Sequence, residues 1–397
     1  MAEQLPVDVY HFLNGHYGGV YNVVRNLVLY TQNFHIRNHI VYVIEKERFP
    51  DWTINAIGGD CSELVFTYSR YENLNHVFKR LASKIPESAV LVAHDWFELG
   101  MVSHLGLPNP LLYMLHGNYD YYFNLFQCHQ NEIDNTLCIS KPSCKKLIES
   151  YSGIPNCHYF RFPVKDFKYF QKSFDKLEIL VIAEHLNDPN KGVDLIREID
   201  RLLQSLAVPV KWHLVGHGFS INELLKWWNS SVNIPEYHGY LTQDKLAEVL
   251  AEANVFLLPS QHEGVPVSLI EGMKSGLIPV VANWSDNVSD LVIHERTGYV
   301  LNDSSALTYA NALSAIYSLN LKSQQLSSNA SSLAARLFDP FKQVGEFESH
   351  ALKIAGRRER IKRKIYGSRL DHIRIPNAVT IMLRRIKSIC RFPFFPS

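Results

Sequence analysis

Along the chain, short runs of β-branched and aromatic residues alternate with stretches whose apolar positions recur at helical spacing. This is the pattern of successive βαβ units and mainly parallel sheets. In the first half the runs predict strands at 7–13, 40–44, 64–67, 90–93, 111–115 and 136–139. The segment FRFPVKDFKYF, 160–170, breaks the rhythm with Pro163 and reads as a linker. Beyond it the alternation restarts, with strands expected at 178–182, 210–215, 233–237, 255–258, 277–281 and 299–301. The expected organisation is an α/β domain over 1–162, a second over 163–345, and a helical basic tail over 346–397 that either returns to the first domain or touches a membrane. Open parallel sheets bind ligands beyond the carboxyl ends of their strands, so two in succession are expected to line a shared crevice.

A chain of 397 residues is long enough for two separate cores. Its 46% hydrophobic and 20% charged residues are those of a folded globular protein, which excludes disordered and collagen-like classes. The net charge of +1 conceals an asymmetry. From Lys353 onward thirteen Lys and Arg face only Glu359 and Asp371, a net +11 that leaves −10 on the body. Such a tail suits an anionic surface. The six cysteines, Cys61, Cys128, Cys138, Cys144, Cys157 and Cys390, form no CxxC pair and are expected to be free thiols in a reducing compartment. No run approaches the ~18 apolar residues of a membrane span, and the start lacks a signal-peptide pattern. A cytoplasmic protein is expected.

The stretch from Asn254 to Val300 carries the most chemistry. A strand ends at Pro259, and a loop follows with His262, Glu263 and Gly264. Pro266 then stands where a first helical turn should begin, since its missing N–H costs nothing there. The free amides of that helix, with Gly264 and Val265 before it, form a phosphate site. Glu263 and Glu271 add carboxylates suited to sugar and ribose hydroxyls. Other candidates are Gly18 and Gly19 in HYGGVYNVVRNL, His116 in LHG in preference to His94 in AHDW, Lys191 in NDPNKGVDLI, and Gly216 and Gly218 in WHLVGHGF.

The order strand, PS, EGxP, a Glu eight residues on, GxIPVV and TGY resembles the donor half of retaining glycosyltransferases with the GT-B fold. The resemblance is closest to glycosyltransferase family 4 and covers roughly residues 7 to 345. It implies two Rossmann-like α/β/α domains facing across a cleft, the first on the acceptor side and the second holding a UDP- or GDP-sugar. It further implies catalytic roles for Glu263, His116 and Lys191, with His116 beside the donor sugar. Gly18, Gly19, His185, Gly216, Gly264, Val265 and Glu271 would bind the donor. A retaining, metal-independent transfer to a saccharide or lipid-linked acceptor is implied, with front-face attack and no protein nucleophile. Cell-surface polysaccharide or lipopolysaccharide assembly is the expected setting. The family's diphosphate-binding arginine is replaced by His185, and a neutral imidazole offers one donor where guanidinium offers a planar fork. That substitution keeps two alternatives open: a non-catalytic GT-B scaffold that binds a nucleotide sugar or glycan, or a GT-B nucleotide-sugar epimerase.

No cofactor or metal is expected beyond the nucleotide sugar as co-substrate, since the chain has no DxD pair. The pair His213 and His217 joins a strand residue to a turn residue, which argues against zinc. Neither glycine cluster extends to GxGxxG, so a nicotinamide enzyme is not indicated. The tail places Val379, Met382, Ile386 and Ile389 at helical spacing beside Arg384, Arg385, Lys387 and Arg391, followed by Phe392, Phe394 and Phe395. A basic amphipathic helix of this kind lies on anionic bilayers, so a membrane surface is the expected partner and nucleic acid is not.

Overall fold

The computed structural model describes residues 5–151, 156–229, 232–284 and 288–389. The chain divides into two units, Met1–Phe160 with Val344–Ser397, and Arg161–Gln343.

In the first unit the elements run β1 (Val7–Leu13), α1 (Gly19–Leu29), β2 (Ile36–Glu45), β3 (Cys61–Tyr68), α2 (Leu74–Ala82), β4 (Val90–Ala93), α3 (Trp96–Leu105), β5 (Leu111–Leu115), α4 (Asp120–His129), β6 (Asn135–Cys138), α5 (Lys141–Ser150) and β7 (Cys157–Tyr159). The strands pair in parallel in the order β3-β2-β1-β4-β5-β6-β7. β4, β5 and β6 are buried at every position, as expected of parallel strands covered on both faces. Alternation along β2 serves two cores. Val41 and Val43 join a cluster with Phe78, Leu99 and Leu147, while Ile40, Tyr42 and Ile44 join another with Tyr21 and Val24 of α1.

The second unit runs β8 (Leu177–His185), α6 (Ile196–Ser205), β9 (Val210–His217), α7 (Ile221–Trp228), β10 (Glu236–Gly239), α8 (Gln243–Glu252), β11 (Val255–Leu258), α9 (Val267–Lys274), β12 (Ile278–Ala282), α10 (Val288–Leu291), β13 (Tyr299–Leu301), α11 (Ala306–Ser318) and α12 (Asn320–Leu337). Its parallel sheet has the order β10-β9-β8-β11-β12-β13. The core gathers Trp212, Trp228, Ile196, Ile199, Tyr309 and Leu313. In each sheet the order reverses once, between β1 and β4 and between β8 and β11. Loops leaving the carboxyl ends of those two strand pairs diverge to opposite faces and open a crevice.

The division between units falls within α13 (Pro340–Ile354), and the last described helix is α14 (Asn377–Ile389). Between them the basic segment is tied to the first unit. The Arg360 guanidinium reaches Asp134 at 2.6 Å and donates to the carbonyls of Leu107, Asn109 and Glu132. Arg358 reaches Asp134 at 2.9 Å, and Arg363 reaches Glu132 at 3.0 Å. Arg384 of α14 pairs with Asp371, whose other oxygen accepts from the Leu74 amide at 2.6 Å. Several of the tail charges therefore neutralise carboxylates of the same unit.

Three details differ from the sequence expectation. A three-residue edge strand, β7, was hidden by its brevity. The strand expected at 233–237 lies at Glu236–Gly239, because Asn233 takes a positive φ of 49° that ends extended pairing there. His217 is the last residue of β9 and not a turn residue.

Candidate functional site

In the second unit the site grows from the reversal between β8 and β11. After β8, Asp188 caps a short helical turn by accepting from the Asn190 amide at 2.9 Å, and Lys191 ends that turn. Gly192 then takes φ 65°, and an added Cβ would lie 2.3 Å from the Pro259 carbonyl oxygen. Only glycine lets this loop press against the loop that leaves β11. Asn190 stitches the two together. It donates from Nδ2 to the His262 carbonyl at 3.0 Å, its own carbonyl accepts from the Gln261 amide at 2.9 Å, and its Oδ1 lies 3.2 Å from His262 Nδ1. The result is an ion pair across the loops, Lys191 Nζ to Glu263 Oε1 at 2.8 Å, both side chains half-buried.

Below this pair α9 begins. Pro266 is its N-cap, one position earlier than expected; with no N–H and no polar side chain it leaves the first turn uncapped. No acidic residue occupies that turn either. The amides of Val267, Ser268 and Leu269 precede the first intrahelical bond, so the positive end of the helix stays available to an anion. Gly264 and Val265 are partly exposed just before it. Glu271, four residues further, is buried at 2% exposure and accepts from Gln243 Nε2 at 3.3 Å.

Gly216 and His185 flank the same reversal on the β9 side. Gly216 has φ 136°, and its Tyr237 neighbour donates from the phenol to the Gly216 carbonyl at 3.0 Å. His185 is exposed at the end of β8, its ring 6.2 Å from that of His217, which in turn stacks on Tyr240 at 5.4 Å. The pair His213 and His217 makes no common site. His213 instead contacts His238 at 3.1 Å and Glu178 at 3.0 Å.

In the first unit, the reversal between β1 and β4 gathers a second group. His94 Nδ1 and His116 Nε2 are hydrogen-bonded across 2.8 Å, and the His11 ring stacks 6.0 Å from His94. Burial holds all three imidazoles neutral, lowering His11 to about 4 and His116 to about 3. Asp95 caps α3 with Glu98 as reciprocal partner, and Tyr121 donates to Asp95. Burial raises the Glu98 carboxyl to about 8, while the amides of His94 and Asp95 hold one of its oxygens. Gly18 is the N-cap of α1 and Gly19 its first residue; neither needs a positive φ, and α1 has no side-chain cap and no acid in its first turn.

Lys191, Glu263, Gly264 and Val265 thus meet at one reversal with Gly216, His185 and the buried Glu271 around it, while His116, Gly18 and Gly19 belong to the other unit. Sequence reasoning set His94 aside, yet it is bonded to His116. It also passed over Asn190, whose side-chain amide joins both loops, and Gln243. The doublet PN before Lys191 was the available signal, since it marks a turn that holds a polar side chain in place.

Residues 176–318 match the family model described as glycosyl transferases, group 1. The chain is 26% identical over 193 residues to a putative colanic acid biosynthesis glycosyltransferase, WcaL, of Escherichia coli K12, covering 46% of this chain and 45% of that protein. It is 27% identical over 195 residues to the amylovoran biosynthesis glycosyltransferase AmsK of Erwinia amylovora, covering 46% and 47%. The chain thus matches about half the length of these curated relatives. Among solved structures it resembles Anabaena Alr3699/HepE in complex with UDP and glucose, with TM-score 0.67 and 15% identity, covering 87% of this chain and all of that one. That likeness shows a shared fold.

Proposed function

We propose that this chain, whose residues 176–318 match the group 1 glycosyltransferase model and whose two parallel sheets have the GT-B fold, transfers a sugar from a nucleotide diphosphate to a saccharide or lipid-linked acceptor. The observation that carries the reading is the uncapped amino end of α9 beneath the Lys191–Glu263 pair. Breaking the bond between sugar and diphosphate leaves negative charge on the departing phosphate. Fixed amide dipoles and a held ammonium favour that charge most as it develops, which lowers the barrier. Glu263 keeps Lys191 oriented and offers its second oxygen to sugar hydroxyls. Glu271 is the candidate for the ribose, with Gln243 fixing one oxygen.

Transfer is proposed to retain the anomeric configuration and to need no metal, with Lys191 and the amides serving the diphosphate. UDP-sugars are the proposed donors and cell-surface polysaccharide the proposed product, supported by the names of the similar proteins. α14 is proposed to rest on an anionic membrane. Its Val379, Met382, Leu383 and Ile386 are exposed, and among the described residues no helix is long and apolar enough to cross a bilayer. Arg391, Phe392, Phe394 and Phe395 of the tail motif lie outside the described residues, as does the side chain of Ile389.

The test is a thermal-shift panel of UDP-, GDP-, ADP- and TDP-sugars, followed by transfer assays on lipid-linked saccharides. UDP-sugars should stabilise the protein selectively. Transfer should survive EDTA, give an α-linked product from an α-linked donor by NMR, and vanish in Glu263→Ala. Loss in EDTA that Mg²⁺ restores, or inversion at the anomeric carbon, would sink the corresponding part. His185, exposed where the family places an arginine, favours a second reading as a non-catalytic donor-binding scaffold. UDP-sugar binding without turnover on any acceptor would select it.

A further inference from the structure

Three cysteines from successive elements, Cys138 of β6, Cys144 of α5 and Cys157 of β7, converge in the first unit. β6 and β7 run parallel with Thr136 opposite Cys157 and Cys138 opposite Tyr159, so Cys138 and Cys157 lie two residues apart on one face of the sheet. α5 packs over that face and brings Cys144 from its first turns. The Cys157 sulfur lies 3.8 Å from that of Cys138 and 3.7 Å from that of Cys144, and all three lie within 4.8 Å of one another. Cys138 and Cys144 are buried, whereas Cys157 is partly exposed and gives solvent a path to the group.

Free cysteine packs as a small hydrophobe, and a core tolerates one anywhere. What distinguishes this group is three sulfurs facing a common point. A cation held at ~2.3 Å by tetrahedrally disposed thiolates sets its sulfurs about 3.8 Å apart. The two measured separations already have that length. A disulfide would use two of the three and require them at ~2.05 Å, leaving the third without a role. Thiolates select soft d¹⁰ cations.

We infer that Cys138, Cys144 and Cys157 form a three-thiolate site for one zinc-like cation, its fourth position open to water. On binding, three S–H protons pass to solvent and three metal–sulfur bonds form, with no change of oxidation state. The cation would tie β7, an edge strand of three residues paired only with β6, to α5 and β6. Its role is to hold the edge of this sheet, and it is independent of the donor chemistry.

The experiment uses the full chain, reduced and stripped with chelator, titrated with Co²⁺ as a spectroscopic probe. The expected result is saturation at one equivalent, with thiolate-to-cobalt charge-transfer absorption and the visible bands of tetrahedral Co²⁺, displaced by Zn²⁺. The signal should vanish in Cys144→Ser and Cys157→Ser, and persist in the Cys61→Ala, Cys128→Ala double variant. A measurement on the wild type needs no variant: one equivalent of Zn²⁺ should slow alkylation of Cys157 at least tenfold and raise Tm. Absence of charge-transfer absorption at one equivalent, its persistence in Cys144→Ser, or unprotected alkylation overturns the site. So does isolation of the reduced protein with Cys144 and Cys157 linked on simple exposure to air, which would make the cluster a disulfide switch.

Discussion

Gly216 has no space for a side chain, since a Cβ there would lie 1.7 Å from the Ala183 carbonyl oxygen at a φ of 136°. Gly216→Ala must move the end of β8, and with it the loop that carries Lys191. A loss of at least ~2 kcal/mol is expected, because a backbone clash adds to strain in a region of φ that L residues avoid. Chemical denaturation measures it, and a change below about 0.5 kcal/mol would show that the turn relaxes freely. Residue types at the site were legible in the sequence, whereas their pairings were not. Glu263 read as a carboxylate for sugar hydroxyls, but the engagement of one of its oxygens by Lys191, 72 positions away, was not readable. Likewise His94 and His116 are separated by 22 positions and meet only because β4 and β5 are neighbours in the sheet.

At the scale of the element, α9 tests the role of its own dipole. Ser268 occupies the uncapped first turn, so Ser268→Asp adds a charge that favours the helix by ~0.3–1 kcal/mol. The same charge opposes a diphosphate. Tm without ligand should hold or rise slightly while the Kd for UDP rises several-fold; unchanged UDP affinity in calorimetry would move the phosphate elsewhere. α14 makes the complementary case. Its Thr380 and Arg384 face the first unit, where Arg384 holds Asp371, and its Met382 and Ile386 face outward. Replacing Met382 and Ile386 together by Asp should abolish co-sedimentation with anionic vesicles and leave Tm within ~1 °C, since these side chains make no core contact. Full retention on vesicles would return α14 to a purely structural role. The helical spacing of this segment was readable from sequence, but the fate of its charges was not, because the partners of Arg384, the Asp371 carboxylate and the Glu72 backbone carbonyl, are assigned by folding.

For the whole molecule, buried imidazoles set the acid limit. His11, His94, His116 and His129 have folded-state pKa values well below the ordinary 6.5, His11 and His129 at about 4, each lowered chiefly by burial. Between those values and 6.5 the unfolded chain binds more protons than the folded one, so stability rises with pH across that window and is lost as pH falls through it. Glu98, raised to about 8 by burial, works in the opposite sense between about 4.5 and 8, as do Glu132 and Glu348, which burial also raises. These three carboxyls stand against seven imidazoles once His104, His238 and His350, likewise lowered by burial, are counted. Tm should therefore fall steadily as pH drops from 6.5 to 4.5, and a flat profile would mean these rings are solvated. The chain by itself determined the alternation of strands and helices, and hence two parallel sheets, because period and turn chemistry are local. It also marked the loop before α9, since Gly264 and Pro266 act on their own backbone. Tertiary structure decided which charges cancel, which histidines are hydrogen-bonded and which thiols converge. Those depend on strand order and on one helix lying over one face, and neither is encoded in the spacing of the residues concerned.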